Sequence, residues 1–222
     1  NEYKPRDINK SIYYFERAAK LNYAKAQTVL GIIYYEGEYI KPNIEKAIYY
    51  LVQAARQNDS DALTRLGIIY KDGKYIKPNI NKAINYFFLA SQLNNSEAQY
   101  NLGLLYYEGK HITRDYQKAL YYFNLAVNQN NPRAQYLLGV IFLEGKYVVR
   151  SIDKAIIYLT LASNQNHVEA QYILSSIYYE GKDVKQNIKK AIQYWTMAAN
   201  NNHVYSQHNL GLIYIQGEFV PR

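Results

Sequence analysis

The dipeptide Leu-Gly returns every 36 residues, at Leu30-Gly31, Leu66-Gly67, Leu102-Gly103, Leu138-Gly139 and Leu210-Gly211, with Leu174-Ser175 in the remaining place. No insertion or deletion breaks the spacing. An aromatic stands four residues after each Leu (Tyr34, Tyr70, Tyr106, Phe142, Tyr178, Tyr214), and a Gly three residues later (Gly37, Gly73, Gly109, Gly145, Gly181, Gly217). The two columns account for all 11 glycines of the chain. Glycine is therefore punctuation here, and the unit it punctuates is too small to bury an apolar face alone. Such a unit is stable only when stacked on its neighbours, as in a solenoid.

Each unit reads as two amphipathic helices. The first, near 24–36, carries Ala26, Leu30, Ile33 and Tyr34, the i, i+4, i+7, i+8 stripe of a helix with one buried face. Gly31 lies inside that stripe, where Gly costs about 1 kcal/mol relative to Ala, so close approach of a neighbouring helix is expected. Gly37 sits where a left-handed residue would end the helix. The second helix, near 44–57, begins after a column of side chains able to cap it: Asp7, Asn43, Asn79, Asp115, Ser151 and Asn187. Its stripe is Ile44, Ala47, Ile48, Leu51, Ala54 and Ala55. It ends at Asn22, Asn58, Asn94, Asn130, Asn166 and Asn202, and Asn tolerates the left-handed cap.

Twelve helices follow, from a second-type helix at 8–21 to a first-type helix at 204–216. The expected fold is all-α, an α-α superhelix: a right-handed solenoid of helix-turn-helix repeats. It forms one domain over 1–222, with full units at about 24–58, 60–94, 96–130, 132–166 and 168–202 and half units at 1–22 and 204–222. Residues 1–6 align with 217–222, and the chain opens on Asn1 rather than Met, so it reads as a piece of a longer protein.

The pattern A-x₃-L-G-x₂-Y-x₂-G … D-x₂-K-A-x₂-Y-x₃-A is matched by Ala98, Leu102, Gly103, Tyr106, Gly109, Asp115, Lys118, Ala119, Tyr122 and Ala126. It resembles the Sel-1-like repeat, a relative of the tetratricopeptide repeat, over essentially the whole chain. That family usually has Gly where this chain has Asn22 to Asn202, and often a second Gly where Tyr39, Tyr75 or His111 stands. The resemblance implies a non-catalytic scaffold or adaptor that binds proteins. A regulatory array attached to a catalytic domain elsewhere is the alternative within the family. A 35-residue helical hairpin that reads RNA is a competing analogy.

In related helical-repeat proteins the first helices line a concave groove. Here the face free of stacking residues holds the columns at 25, 28, 32, 35 and 36. Positions 28 and 35 fall on one side of a helix. They supply Thr28, Thr64, Tyr100, Tyr136, Tyr172 and His208, and Tyr35, Lys71, Tyr107, Leu143 and Tyr179. Tyrosine joins large contact area to a polar tip, which suits peptide recognition. The chain has 27 tyrosines, so packing between adjacent first helices is the alternative.

The 36 column is nearly all acidic: Glu36, Asp72, Glu108, Glu144 and Glu180. Acids in a last turn oppose the helix dipole. Lys10, Lys46, Lys82, Lys118, Lys154 and Lys190 are equally misplaced in first turns. Two readings stand: the columns pair across the turn, as Glu108 with Lys118, or the acids form a groove edge that receives a basic ligand. Lys74, Lys77, Lys110, Arg114, Lys146, Arg150, Lys182 and Lys185 recur in the loops as a basic edge.

The formal charge of +8 makes nucleic acid a candidate partner, and aromatics could stack on bases. The five groove carboxylates speak against it. No phosphate-cradling glycine loop occurs, and no Cys is present to act as nucleophile or metal ligand. The histidines at 111, 167, 203 and 208 are poorly spaced for a metal. No cofactor and no catalytic constellation is expected. No apolar run is long enough to span a bilayer. A cytoplasmic location is the default, although Asn9, Asn58 and Asn94 begin N-x-[ST] sequons that would matter in a secretory lumen.

Overall fold

The computed structural model describes residues 7–217, and the terminal alignment of 1–6 with 217–222 lies almost wholly outside that range. Among the described residues there are twelve helices and no strand. They fall into two compact units, Asn1–Asp115 and Tyr116–Arg222. The first holds α1 (Ile8–Lys20), α2 (Ala24–Glu36), α3 (Ile44–Ala55), α4 (Ser60–Asp72), α5 (Ile80–Gln92) and α6 (Ser96–Glu108). The second holds α7 (Tyr116–Asn128), α8 (Pro132–Glu144), α9 (Ile152–Asn164), α10 (Val168–Glu180), α11 (Ile188–Asn200) and α12 (Val204–Gln216). Even-numbered helices are the first helices of the sequence repeat and odd-numbered ones the second.

Helix boundaries follow local chemistry. Asn43, Asn79, Ser151 and Asn187 each accept the backbone N–H three residues on, satisfying a donor that the helix leaves unpaired. The backbone N–H of the same four residues donates to the carbonyl of Tyr34, Tyr70, Phe142 and Tyr178, which closes each hairpin loop. At the other end, all six Asn of the 22–202 column are left-handed, with φ from 57° to 63°. The N–H of the following residue then reaches back to the last turn, as Asp59 to the Ala54 carbonyl at 3.2 Å. Gly73 ends α4 at φ +64°, and a Cβ there would stand 2.3 Å from Pro78 Cγ.

Packing repeats with the sequence. In the first unit each helix packs on its chain neighbour, and α4 also touches α2 and α6; in the second unit α7 to α12 pack in the same succession. Leu30, Leu51, Leu66 and Phe87 are fully buried in the first unit, Leu138, Leu159 and Leu174 in the second. Each such side chain removed from water contributes roughly 1.5–3 kcal/mol. The internal glycine makes the close approach possible: a Cβ on Gly67 would lie 2.5 Å from the Phe87 ring. A column of glutamines seals the same joint. Gln27, Gln99, Gln171 and Gln207 donate to the carbonyls of Ala19, Ser91, Ser163 and Ala199 in the helix before. The fold class is thus the all-α helical repeat expected.

Candidate binding surface on the first helices

In the first unit, the columns at 25, 28, 29, 32, 35 and 36 of the first helices line two hollows. One, of about 380 Å³, is bounded by Thr28, Ile32, Asp59, Asp61, Thr64 and Arg65. The other, of about 210 Å³, is bounded by Lys71, Asp72, Asn101, Leu104 and Glu108. Thr28 and Thr64 are buried rather than presented. The Thr28 hydroxyl donates to Asp59 Oδ1 at 3.0 Å, tying α2 to the start of α4, and the Thr64 hydroxyl donates to the Ser60 carbonyl. Tyr35 is half-buried and edge-on to Tyr75, ring centroids 5.7 Å apart. Burial pushes its phenol pKa up, and the Asp72 carboxylate adds to the shift. Lys71 donates to Asn101 Oδ1 at 3.2 Å, and Tyr100 and Tyr107 are half-buried on α6.

In the second unit, Tyr136 stacks on His167 with centroids 4.4 Å apart, and Tyr172 lies tilted on His203 at 4.7 Å. Both tyrosines stay half-exposed. Leu143 lines a hollow of about 200 Å³ with Ile173, Ile177 and Glu180. Tyr179 lines another of about 210 Å³ with Tyr172, Glu180 and Trp195. His208 is exposed on α12. In the 28 column, Thr28, Tyr136 and Tyr172 thus each dock on the residue that caps the next first helix, while Thr64 bonds within its own helix.

Four of the first-turn lysines rest on aromatic rings. Lys46, Lys82, Lys154 and Lys190 place their ammonium groups over Tyr34, Tyr70, Phe142 and Tyr178, 4.6–5.0 Å from the ring centroids. Each of those rings stacks in turn on the tyrosine four residues after the lysine: Tyr50, Tyr86, Tyr158 and Tyr194. The cation is held by ring faces, which explains a lysine in a first turn. The acids find other partners. Glu36 meets Arg65 at 3.8 Å, Asp72 meets Lys71 at 3.5 Å, Glu108 meets Lys110 at 3.3 Å and Glu180 meets Lys182 at 2.8 Å. These pairs are largely exposed to solvent and contribute little stability.

The basic edge is partly structural. Arg114 donates to the Glu108 carbonyl and Arg150 to the Leu143 carbonyl, where Gln186 donates to Tyr179 and where Pro42 and Pro78 lie under Gly37 and Gly73. Arg150 also forms a two-pronged bond to Asp183, whose carboxyl it holds below the usual carboxylate range. Lys74 and Lys146 lie over Tyr75 and Tyr147.

Two histidines have a role that residue spacing alone missed. His167 and His203 stand in the column of Asp59, Asn95 and Asn131, all of which cap first helices. Their Nδ1 atoms accept from Ala170 N at 3.4 Å and Ser206 N at 3.3 Å. The signal was available, because three cap-forming residues share their column. Among the described residues no His, Cys, Asp or Glu cluster could hold a metal ion, and no helix is long and apolar enough to cross a membrane.

Stacked two-helix units with a side-chain-lined face define a helical-repeat protein. The sequence model of the Sel1 repeat matches residues 2–23, 24–59, 60–95, 96–131, 132–167, 168–203 and 204–222. The chain belongs to the Sel1 repeat family, which commonly mediates protein–protein interaction and whose members are generally non-catalytic scaffolds. A Sel1 repeat protein from Oxalobacter formigenes superimposes with a TM-score of 0.87 at 28% identity, over 94% of this chain and 60% of that one. A protective antigen of uropathogenic Escherichia coli with an SLR fold gives 0.77 at 26% identity, over 95% of this chain and 45% of that one. The chain thus spans less than two thirds of the length of either. An immunity protein from Pseudomonas aeruginosa shares the fold at 19% identity, TM-score 0.61, over 89% of this chain and 76% of that one. None of the curated proteins matches the chain.

Proposed function

We propose that this chain is a non-catalytic scaffold that binds a segment of a partner protein along the exposed face of its first helices. The observation that carries the reading is the set of hollows beside the first helices within each unit, all edged by carboxylates and one of them, in the second unit, walled by Tyr172 and Tyr179. Aromatic side chains that are already partly ordered lose little entropy on binding, and they offer both apolar area and a hydrogen-bonding tip. Acids at the rim favour a partner segment that carries positive charge. The carboxylates recur in ion pairs rather than in one unique constellation, which supports the non-catalytic reading.

The test is capture of partners from the source cell by the chain and by a Tyr100→Ala/Tyr136→Ala/Tyr172→Ala version that still melts cooperatively. The proposal expects a protein partner that is lost with the tyrosines. Equal capture by both versions contradicts it. Recovery of mainly RNA, released steeply by salt, would replace it with the nucleic-acid reading that the +8 charge favours.

A further inference from the structure

We propose that the second unit carries a pocket for a basic side chain of a bound peptide, walled by Tyr172, Tyr179 and Trp195 and edged by the carboxylate of Glu180. The proposal deepens the scaffold reading above and rests on it. The hollow among α10, α11 and α12 measures about 210 Å³. That is below the roughly 300–1,000 Å³ of sites for cofactors and drug-sized molecules, and it suits one amino-acid side chain.

Trp195 makes this hollow unlike those of the first unit. Its column otherwise holds Phe15, Leu51, Phe87, Phe123 and Leu159, all hydrocarbon, and the last four are fully buried. Trp195 is only 2% exposed, and its indole N–H has no acceptor among the described residues. The indole N–H is itself covered, so its resonance reports on whatever enters the hollow that the ring lines. Tyr179 meets it at a centroid distance of 5.1 Å and a tilt of 53°, which sets two ring faces at an angle.

The same columns in α4 hold a cation of the chain's own. There the residue equivalent to Tyr179 is Lys71, whose ammonium stands 3.5 Å from Asp72, the equivalent of Glu180. The chain thus places its own cation beside a column-36 carboxylate in one repeat and ring faces beside that carboxylate in another. Glu180 does hold Lys182 at 2.8 Å, but both side chains are largely in solvent, and so weak a pair exchanges readily. Elsewhere the protein already holds the ammonium groups of Lys46, Lys74, Lys82, Lys146, Lys154 and Lys190 on aromatic faces. A lysine or arginine would lay its stem on Leu212 and Trp195 and turn its cation to the tyrosine rings and Glu180.

Trp195 is the only tryptophan in the chain, so its indole gives a single ¹⁵N–¹H resonance. The experiment titrates the full chain with acetyl-Gly-X-Gly-amide peptides, where X is arginine, lysine, norleucine or glutamate. Arginine and lysine peptides are expected to shift the indole signal saturably in the millimolar range, and the norleucine and glutamate peptides at least about ten-fold more weakly. Glu180→Gln should weaken the arginine peptide by about ten-fold, the equivalent of one lost charge contact, with an unchanged melting temperature. An indole signal that does not move with the basic peptides, or that moves equally with norleucine, overturns the pocket. If partner capture depends on the tyrosines while the indole stays silent, the pocket falls and the scaffold reading stands. If the indole responds and partner capture ignores the tyrosines, the scaffold reading falls instead.

Discussion

The imidazole of His167 stacks on the phenol of Tyr136, 4.4 Å between centroids and 17° between planes, while its Nδ1 accepts the N–H that opens α10. One residue therefore joins two repeats and caps a helix, and it can do so only with Nδ1 unprotonated. Burial lowers its pKa from 6.5, with Glu169 pulling the other way and Arg133 adding to the lowering. The folded protein thus binds this proton less readily than the unfolded chain. Its contribution to stability is complete above about pH 6.5 and declines as the pH falls through the interval between the unfolded value and the lower folded one. Melts between about pH 7.5 and about pH 5 should show this loss, up to the roughly 1 kcal/mol of an N-cap. His167→Asn, which keeps the cap as Asn95 and Asn131 do, should flatten that profile.

The internal glycines should not respond alike. At Gly67 an added Cβ meets the rigid, buried Phe87 ring at 2.5 Å, whereas at Gly211 nothing lies within 4 Å. Gly67→Ala should destabilise the protein by about 1–3 kcal/mol through overpacking. Gly211→Ala should stabilise α12 by about 1 kcal/mol through helix propensity alone. Chemical denaturation of the two variants checks the opposite signs.

Lysines of the 46 column should be coupled to rings, not to acids. A double-mutant cycle on Lys190 and Tyr178 should return about 0.5–1 kcal/mol, and one on Lys190 and Glu180 close to zero.

The left-handed asparagines report a purely local constraint. Asn94 holds φ +57°, so Asn94→Ala should cost about 1 kcal/mol, while Asn94→Gly should be neutral or stabilising. Thermal melts of the two variants distinguish the outcomes.

What could be read from the sequence was what depends on a residue and its near neighbours. Gly73, Asn94 and Asn43 announce positive φ or a cap wherever they stand, so helix ends and the period were legible. The partner of Lys154 was not. Counting charges matched it to an acid, yet its first-turn position on α9 carries the ammonium onto Phe142 of α8, a relation set by how two helices cross. Thr28 and Thr64 share a column with Tyr136 and Tyr172, but a short side chain in that place is covered by the next helix and a long one reaches past it. The opposite fates of one column depend on side-chain length, which periodicity does not weigh.

The most direct test of the account is photo-crosslinking from defined positions. Benzoylphenylalanine placed at Tyr107 or Tyr179, on the first helices, is compared with the same residue at Tyr49 or Tyr121, exposed on the second helices. A binding surface on the first helices gives crosslinks to a protein partner from positions 107 and 179 and none from 49 and 121. Crosslinks only from the second helices, or from all four positions alike, would contradict a binding surface on the first helices.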